Sequence, residues 1–354
     1  MTAIKGRGAP SNGESPRFAL PAREVDGDWL DAAQEDADTL PPLRTTVTPE
    51  QARRIITRNT SPDIGFDQSI NAYRGCEHGC IYCFARPTHA WLDLSPGLDF
   101  ESRLFVKSDA ARLLRKELAH PRYQVKTIAL GTNTDPYQPI EARYRVTRDI
   151  ITLLAQCSHP LMITTKSDRV TRDIDLLARM AADGLVAVGL SVTSLDPALS
   201  RKMEPRAPHP RRRLAAIRAL SAAGVPVNAC ISPIIPAINE HEIEALVAAT
   251  VEAGARSVSS IPVRLPHEVA PLFRAWLTEH FPDRAGKVMH ILQSIRGGRD
   301  NDPHFGSRMR GQGPHAAVIR TRFEKARRRH GLGDGRISLR KDLFVPPGDQ
   351  GRLF

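Results

Sequence analysis

Six short apolar segments, rich in β-branched residues, recur between residues 68 and 263 and alternate with amphipathic segments. Their length and composition favour β-strands over buried helices. The strands are predicted at residues 68–73, 125–131, 161–165, 186–192, 225–231 and 257–263. Apolar residues three and four positions apart predict helices between the strands, at residues 109–118, 148–155, 173–180, 214–222 and about 239–253.

Strand and helix alternate six times, which implies parallel strands joined by right-handed crossovers. Six repeats are fewer than the eight that close a full barrel, so the pattern favours an α/β fold with a partial (β/α)6 TIM-type barrel. An open, doubly wound sheet would show the same periodicity. The barrel is predicted to span residues 61–267.

The two flanking regions differ from this core. Residues 1–60 mix proline, glycine, serine and acidic residues. We expect them to form a mostly disordered or loosely attached extension, with one short helix capped by Thr48. Residues 268–354 are predicted to form a helical C-terminal extension that ends in a flexible tail.

Composition narrows the class of protein and its partners. The 354-residue chain has a formal net charge of +11 and a pI near 9.8, which suggests a polyanionic partner or a generally basic proteome. The sequence has neither an apolar run of membrane-spanning length nor a signal-peptide core, so we expect no membrane contact and a cytoplasmic location. Five cysteines fit a reducing compartment, and two of them, Cys157 and Cys230, are predicted to be structural.

Cys76, Cys80 and Cys83 lie within eight residues in a C-x3-C-x2-C arrangement. Soft thiolates at close spacing bind a soft metal ion or an iron–sulfur cluster. Three thiolates leave a structural zinc site one ligand short, and no second C-x2-C pair follows at the usual distance. A zinc knuckle completed by His78 or His89 is the alternative to a four-iron cluster with one open iron.

This spacing, with Tyr82 before the last cysteine, resembles the C-x3-C-x-aromatic-C signature of the radical S-adenosylmethionine (SAM) superfamily. The resemblance favours the barrel over the doubly wound sheet and implies two cofactors, a [4Fe-4S] cluster and SAM. It also implies that an external reductant, such as flavodoxin or ferredoxin, supplies one electron for cleavage of SAM. The resulting 5′-deoxyadenosyl radical would abstract hydrogen from a substrate, while the protein binds and shields the cofactors.

Polar residues at the strand ends are the candidate SAM contacts, because parallel barrels place their working residues there. Simpler interpretations remain open, namely a core aromatic for Tyr82, an Asx turn at residues 132–136 and a solvated loop lysine for Lys166. The candidates are Tyr82 beside the adenine, Thr134, Asp135 and Glu141 at the ammonium group, Lys166 at the carboxylate, Ser191, Thr193 and Glu204 at the ribose, and Arg206 at a carboxylate.

Residues from Ile70 to about Pro266 are similar to the spore photoproduct lyase-like branch of that superfamily. The lyase repairs a thymine dimer and needs a cysteine near the second strand to return hydrogen, where this chain has Thr132 and Asn133. The resemblance therefore implies a radical SAM enzyme with a different substrate, which could be nucleic acid. The competing hypothesis is a non-catalytic, metal-stabilised module that binds nucleic acid.

Two C-terminal segments predict partners. Residues 320–330 form a basic helical pattern that could contact the phosphates of nucleic acid, although a solvated basic helix has the same pattern. Residues 350–354 resemble the short peptides that dock on the bacterial DNA sliding clamp, with Gly351 in place of a leucine. Alternatively, Leu353 and Phe354 could fold back onto the protein's own surface.

Overall fold

The computed structural model describes residues 6–13, 15, 17–19, 43–333 and 337–348. The sliding-clamp motif at residues 350–354 lies outside these described residues, so its docking stays a prediction. Strands in the described residues are β1 (Thr46–Pro49), β2 (Thr57–Arg58), β3 (Gln68–Ile70), β4 (Tyr73–Arg74), β5 (Arg103–Val106), β6 (Ile128–Leu130), β7 (Leu161–Thr165), β8 (Val186–Ser191), β9 (Val227–Ile234) and β10 (Ser257–Pro262).

The main sheet has the spatial order β10-β9-β8-β7-β6-β3-β2. Its neighbours from β3 to β10 pair in parallel, and β2 is an antiparallel strand at one edge. The six predicted strands and their parallel pairing are confirmed. Among the described residues no strand pairing joins β10 to β2, so the sheet is open rather than a closed barrel.

Helices connect the strands and form the C-terminal extension. No helix in the described part of the chain is long and apolar enough to cross a membrane. The α-helices are α1 (Asp99–Ser102), α2 (Ala110–Leu118), α3 (Glu141–Tyr144), α4 (Val146–Gln156), α5 (Ile174–Ala182), α6 (Pro197–Met203), α7 (Pro210–Ala222), α8 (Ile243–Glu252), α9 (Val269–His280), α10 (Pro282–Ser294), α11 (Ser307–Arg310) and α12 (Gly313–Arg329), and short 3-10 helices lie at Arg86–Leu92, Asp168–Asp173 and Glu240–Glu242.

The connecting helices pack on one face of the main sheet. The parallel strands follow one another in chain order without a reversal, and crossovers of one hand then place every helix on the same side. Accordingly, one apolar core joins residues of α2, α4, α5, α7 and α8 to the strands. A doubly wound sheet would have helices on both faces, so the partial-barrel interpretation is the one that the structure supports.

Side chains join the two edges of the sheet. Arg308 lies in α11, which packs against β10, whereas Asp63 follows β2 at the opposite edge. The Arg308 Nε donates to Asp63 Oδ2 at 2.6 Å, and Arg308 Nη2 donates to Ser61 Oγ at 2.6 Å. These contacts bridge the side of the partial barrel that backbone pairing leaves open.

The N-terminal region contains more structure than its composition predicted. Thr48 lies in β1, which pairs in parallel with β5, so the predicted short helix is wrong. The run of Thr46, Val47 and Thr48 is β-branched, which favours a strand. Residues 6–13 also pack on the core rather than being loosely attached, since Arg7 and Ala9 are buried.

Candidate functional site

The cysteine loop, residues 75–83, lies across the C-terminal end of the main sheet. Ile81 N donates to Met203 O, at the C-terminal end of α6, which follows β8, at 3.1 Å. Gln138, just beyond β6, accepts from Glu77 N at 3.0 Å and donates to Gly75 O at 3.1 Å. The loop is therefore tied to the strand ends where a parallel barrel places its chemistry.

A buried ion pair supports the backbone of this loop. Arg86 and Glu101 are fully buried and lie 2.5 Å apart. The Arg86 guanidinium donates to Cys80 O at 2.9 Å and to Gly79 O at 3.2 Å. The Glu101 carboxylate also accepts hydrogen bonds from the backbone N–H groups of Gly8 and Ala9, at 2.9 and 2.8 Å. A fully hydrogen-bonded pair of this kind fixes the loop geometry, because breaking it would leave a buried charge unpaired.

The three thiols of the loop lie near one another. Burial raises the pKa of Cys76 well above the usual range, and the Asp135, Cys80 and Cys83 side chains raise it further. Burial likewise raises the pKa of Cys80 to about 12 and raises that of Cys83. The thiols are thus protonated at neutral pH, and a bound metal would have to displace their protons.

Glu204 is the centre of a buried polar network beside the cysteines. Its carboxylate accepts hydrogen bonds from the Tyr82 hydroxyl and the Arg213 guanidinium, and from Thr193 Oγ1 at 2.7 Å. The Lys166 Nζ lies 3.8 Å away. Burial alone would raise the pKa of Glu204, but Arg213 and Lys166 outweigh it and lower the pKa to about 2. Glu204 is therefore ionised at neutral pH.

Lys166 links this network to the cysteine loop. Its ammonium nitrogen lies 5.6 Å from the centroid of the Tyr82 ring, over the ring face. Burial would lower the pKa of Lys166, but Cys80 and Glu204 raise it above the usual range. The mouth of the barrel thus holds a lysine that is protonated at neutral pH close to the Glu204 carboxylate.

Asp135 joins the same end of the sheet through hydrogen bonds to the end of β7. Its carboxylate accepts from Thr165 Oγ1 at 2.6 Å and from Lys166 N at 2.8 Å. The His78 Nδ1 lies 3.3 Å from the carboxylate. Burial would raise the pKa of Asp135, but His78 and these hydrogen bonds lower it to about 2.

The remaining predicted contacts occupy different surroundings, and their roles towards SAM stay predictions. Arg206 pairs with Glu77 of the cysteine loop at 3.1 Å, and Ser191 O accepts from Arg213 at 3.3 Å. Thr134 Oγ1 donates to Tyr73 O at 3.0 Å. The structure groups Tyr82, Lys166, Thr193 and Glu204 in one network.

Glu141 lies in a separate buried network. Its carboxylate accepts from the Tyr73 hydroxyl, from Thr147 N at 3.1 Å and from the Arg172 guanidinium at 2.7 Å. These partners hold β4 against α3 and α4. The structure does not bring Glu141 to the Lys166 and Glu204 network.

Sequence reasoning missed one residue of the site, Arg213, and named His78 only as a ligand of the zinc alternative. Arg213 lies on α7 at a spacing of four and seven from Ile217 and Leu220, and all three are buried. That periodicity could have indicated a buried arginine in need of a carboxylate. The zinc alternative uses His78 as a metal ligand, and the structure instead places it beside Asp135.

The sheet face opposite the helices carries polar side chains. In β9 the apolar Val227, Ala229 and Ile231 pack on the helices, so the alternate residues face the other side. There, Asn228 Nδ2 donates to Ser259 Oγ at 2.9 Å and to Cys230 Sγ at 3.2 Å. Cys230 is partly exposed on this face, whereas Cys157 is buried in the apolar core. The structural role predicted for both thiols stays a prediction.

Comparison with known proteins relates this architecture to a family. The family model described as the radical SAM superfamily matches residues 70–249. An uncharacterized protein of Mycobacterium tuberculosis is 40% identical over 230 residues, which cover 64% of this chain and 68% of that protein. An uncharacterized protein of Methanocaldococcus jannaschii is 31% identical over 173 residues, which cover 49% of this chain and 62% of that protein.

Solved structures share the fold. Spore photoproduct lyase complexed with dinucleoside spore photoproduct matches with a TM-score of 0.55 at 17% identity, over 88% of this chain and 85% of that chain. A tyrosine-to-phenylalanine mutant of the same enzyme matches with a TM-score of 0.55 at 18% identity, also over 88% and 85%. The match of the family model to half of the sequence shows the family. This chain belongs to the radical SAM superfamily.

Proposed function

We propose that this protein is a radical SAM enzyme that uses a [4Fe-4S] cluster to cleave SAM reductively and to abstract hydrogen from a substrate. The observation that carries the proposal is the arrangement at the strand ends. Three neighbouring thiols lie beside the buried network of Tyr82, Lys166 and Glu204, in a chain of this superfamily. A non-catalytic module would have no need of such a network.

The residues present suit a cluster better than a single metal ion. Among the described residues, no group of three histidine, cysteine or acidic side chains converges as the ligands of one metal ion. A four-iron cluster takes its thiolates on separate irons, so its ligands lie farther apart than the ligands of a single ion. Cys76, Cys80 and Cys83 are buried or nearly so, which suits a cluster that must be shielded from water.

The chain's own residues would bind SAM beside that cluster. Lys166 would attract the carboxylate of the amino acid moiety, and Asp135 and Glu204, both ionised, would attract its ammonium group or accept from the ribose hydroxyls. The Tyr82 ring would pack beside the adenine. When bound, the two cofactors supply the electron transfer and the radical, and the protein supplies orientation and exclusion of water. An external one-electron donor such as flavodoxin or ferredoxin would deliver the electron.

The proposed substrate class is nucleic acid. Support comes from the net charge of +11 and from the fold shared with spore photoproduct lyase. We do not propose the lyase reaction itself. The resemblance to that enzyme implies a cysteine near the second predicted strand, and this chain has Thr132 and Asn133 there, just beyond β6. Thr132 Oγ1 accepts from Asn71 Nδ2 at 3.3 Å, and Asn133 N donates to Asn71 Oδ1 at 2.9 Å. Neither residue carries a thiol that could return hydrogen.

Anaerobic reconstitution tests the proposal. The wild-type chain, loaded with iron and sulfide, reduced and mixed with SAM, should bind about four irons and release 5′-deoxyadenosine. Cys80→Ala should lose the intact cluster and the product, because a cluster ligand is gone. Cys157→Ala is the matched control, since that thiol lies in the apolar core, and it should behave as wild type.

One result would overturn this function. One zinc ion per chain, with no iron bound after anaerobic reconstitution and no 5′-deoxyadenosine, would favour the metal-stabilised binding module instead. Loss of product in both Cys80→Ala and Cys157→Ala would also count against a specific role for the C-x3-C-x2-C motif.

A further inference from the structure

A basic cavity lies beside the edge strand β2, away from the cysteine loop. Its volume is about 630 Å³. Residues that are far apart in the sequence line it, from the segment before β2, from β2 itself, from the end of α2 and from the loop before β6. The cationic residues of its wall are Arg53, Arg54, Arg58, Lys116 and Arg122.

In the part of the chain that the structure describes, these five cations form no ion pair with a carboxylate. All are exposed, and none lies within ion-pairing distance of an acidic side chain among the described residues. Glu117 also lines the cavity, but its carboxylate accepts from Ile55 N at 2.5 Å and from Ile56 N at 3.4 Å. The Glu117 carboxylate therefore stabilises the backbone before β2, and the wall of the cavity keeps a net positive charge.

Several arginines elsewhere in the described part of the chain are neutralised by carboxylates. Arg148, Arg172 and Arg322 each have a carboxylate oxygen within 2.6–2.8 Å of a guanidinium nitrogen. Collecting five cations around one cavity without such partners adds like-charge repulsion to the folded state. A bound polyanion would relieve that repulsion and release its own counterions.

The position of the cavity decides what kind of anion fits. Arg58 pairs with Gln68 at the start of β3, and Arg122 precedes β6, so the cavity lies at the N-terminal ends of the parallel strands. The cysteine loop lies at their C-terminal ends. Five cations also exceed what one phosphate group needs. A long chain of phosphates, which could extend away from the reacting end of the barrel, matches both facts.

We propose that the basic cavity binds the phosphodiester backbone of a nucleic-acid strand. Its size falls within the range of ordinary ligand pockets, on the order of 300–1,000 Å³, so it could hold a nucleotide unit while the strand continues along the surface. Because the cavity is remote from the cysteines, this inference does not depend on the proposed radical chemistry.

Fluorescence anisotropy with a fluorescein-labelled single-stranded oligothymidylate tests the proposal, using the full-length reconstituted protein over a series of salt concentrations. Arg54→Gln with Arg58→Gln should weaken binding roughly tenfold. It should also reduce the magnitude of the log–log salt slope by about 1.4, since each phosphate contact to a single strand contributes about 0.7. Arg122→Gln, on another wall of the cavity, should weaken binding in the same direction.

The matched control is Arg211→Gln with Arg218→Gln on α7. Those two arginines are also exposed, so the change in net charge is the same, and binding should stay near the wild-type value. Equal affinity and slope for the cavity variant and the control would overturn the proposal. Two further results would overturn the proposal. One is that poly-L-glutamate displaces the oligonucleotide by binding as strongly as it does, and the other is that phosphatidylserine vesicles bind as strongly as the oligonucleotide. Either result counts if that binding depends on Arg54 and Arg58 in the same way.

Discussion

Glu204 shows how one buried carboxylate organises the mouth of the barrel. It is almost fully buried and has the hydroxyls of Tyr82 and Thr193 and the guanidinium of Arg213 as hydrogen-bond partners. Replacing a charge in such a network leaves its partner charge buried without compensation, and this costs more than the pair itself contributes. Arg213 is that partner here, because it too is almost fully buried.

Glu204→Gln should therefore lower the free energy of unfolding by about 3–5 kcal/mol at neutral pH. Denaturant unfolding of the apoprotein measures this directly, without any dependence on cluster content. The control is Glu244→Gln, which removes a partly exposed partner of Arg322 and should cost at most about 1 kcal/mol. Similar losses in both variants would contradict the buried-charge argument.

The same carboxylate predicts a dependence on pH. The pKa of Glu204 is lowered from 4.5 to about 2 in the folded protein. A lowered pKa stabilises the fold above the unfolded value, and this stabilisation is lost as pH falls from about 4.5 towards 2. Unfolding curves across that window should show a steeper loss of stability for wild type than for Glu204→Gln. Parallel curves would assign the acid sensitivity to other groups, Asp135 among them.

At the scale of single residues, the sequence predicts which residues belong to the site but not which of them contact one another. The rule that strand ends carry the chemistry identified Lys166, Thr193 and Glu204, and the structure brings them together. The strand-end rule could not identify Arg213. This arginine is buried because it pairs with Glu204, which lies nine residues earlier in the chain and outside α7. Glu141 satisfied the same rule and lies instead in the network of Tyr73 and Arg172.

Among the elements, the N-terminal segment of residues 6–13 is in direct contact with the cysteine loop. A Cβ atom added at Gly8 would lie 1.7 Å from Gly79 O, so the two backbones are in tight contact. Composition predicted a loose segment because proline, glycine and serine bury little surface. The order comes from Glu101, a partner more than ninety residues away that binds the N–H groups of Gly8 and Ala9.

Gly8→Ala should push this segment off the cysteine loop. We expect the free energy of unfolding to fall by about 1–3 kcal/mol, as for other overpacked sites, and the reconstituted cluster to bleach faster in air. Gly13→Ala is the control, because a Cβ there meets nothing within 4 Å. Absorbance decay after exposure to oxygen compares the two proteins. Identical decay rates and stabilities would show that the segment does not shield the loop.

At the scale of the whole molecule, the alternation of strands and helices predicted parallel strands with the chemistry at one end. The resemblance to the superfamily was needed to favour the partial (β/α)6 barrel over a doubly wound sheet. The closure by Asp63 and Arg308 was not predictable, because it joins residues about 245 positions apart through side chains alone. The distribution of positive charge was likewise only partly predictable. Periodicity identified the basic helix, whereas the basic cavity collects its arginines from several elements.

The basic helix α12 now has a defined exposed face. Its residues Ala316, Ile319, Phe323 and Ala326 are buried, so the helix docks along one side. Arg322 is paired with Glu244, and Arg327 donates to Glu324 at 2.7 Å. These two arginines already have acidic partners. The arginines left exposed to contact phosphates are Arg320, Arg328 and Arg329.

If α12 contacts nucleic acid, Arg328→Gln with Arg329→Gln should reduce the magnitude of the salt slope for an oligothymidylate by about 1.4, as expected for two lost phosphate contacts. Arg322→Gln should change the slope little, because Glu244 already neutralises that side chain. Combining the α12 pair with Arg54→Gln and Arg58→Gln distinguishes a strand that contacts both the helix and the basic cavity from a strand that contacts the cavity alone. Additive loss would mean that one strand contacts the helix and the basic cavity independently, since distant sites add. An unchanged slope in the α12 variant would leave the helix as a solvated surface and the cavity as the site of contact.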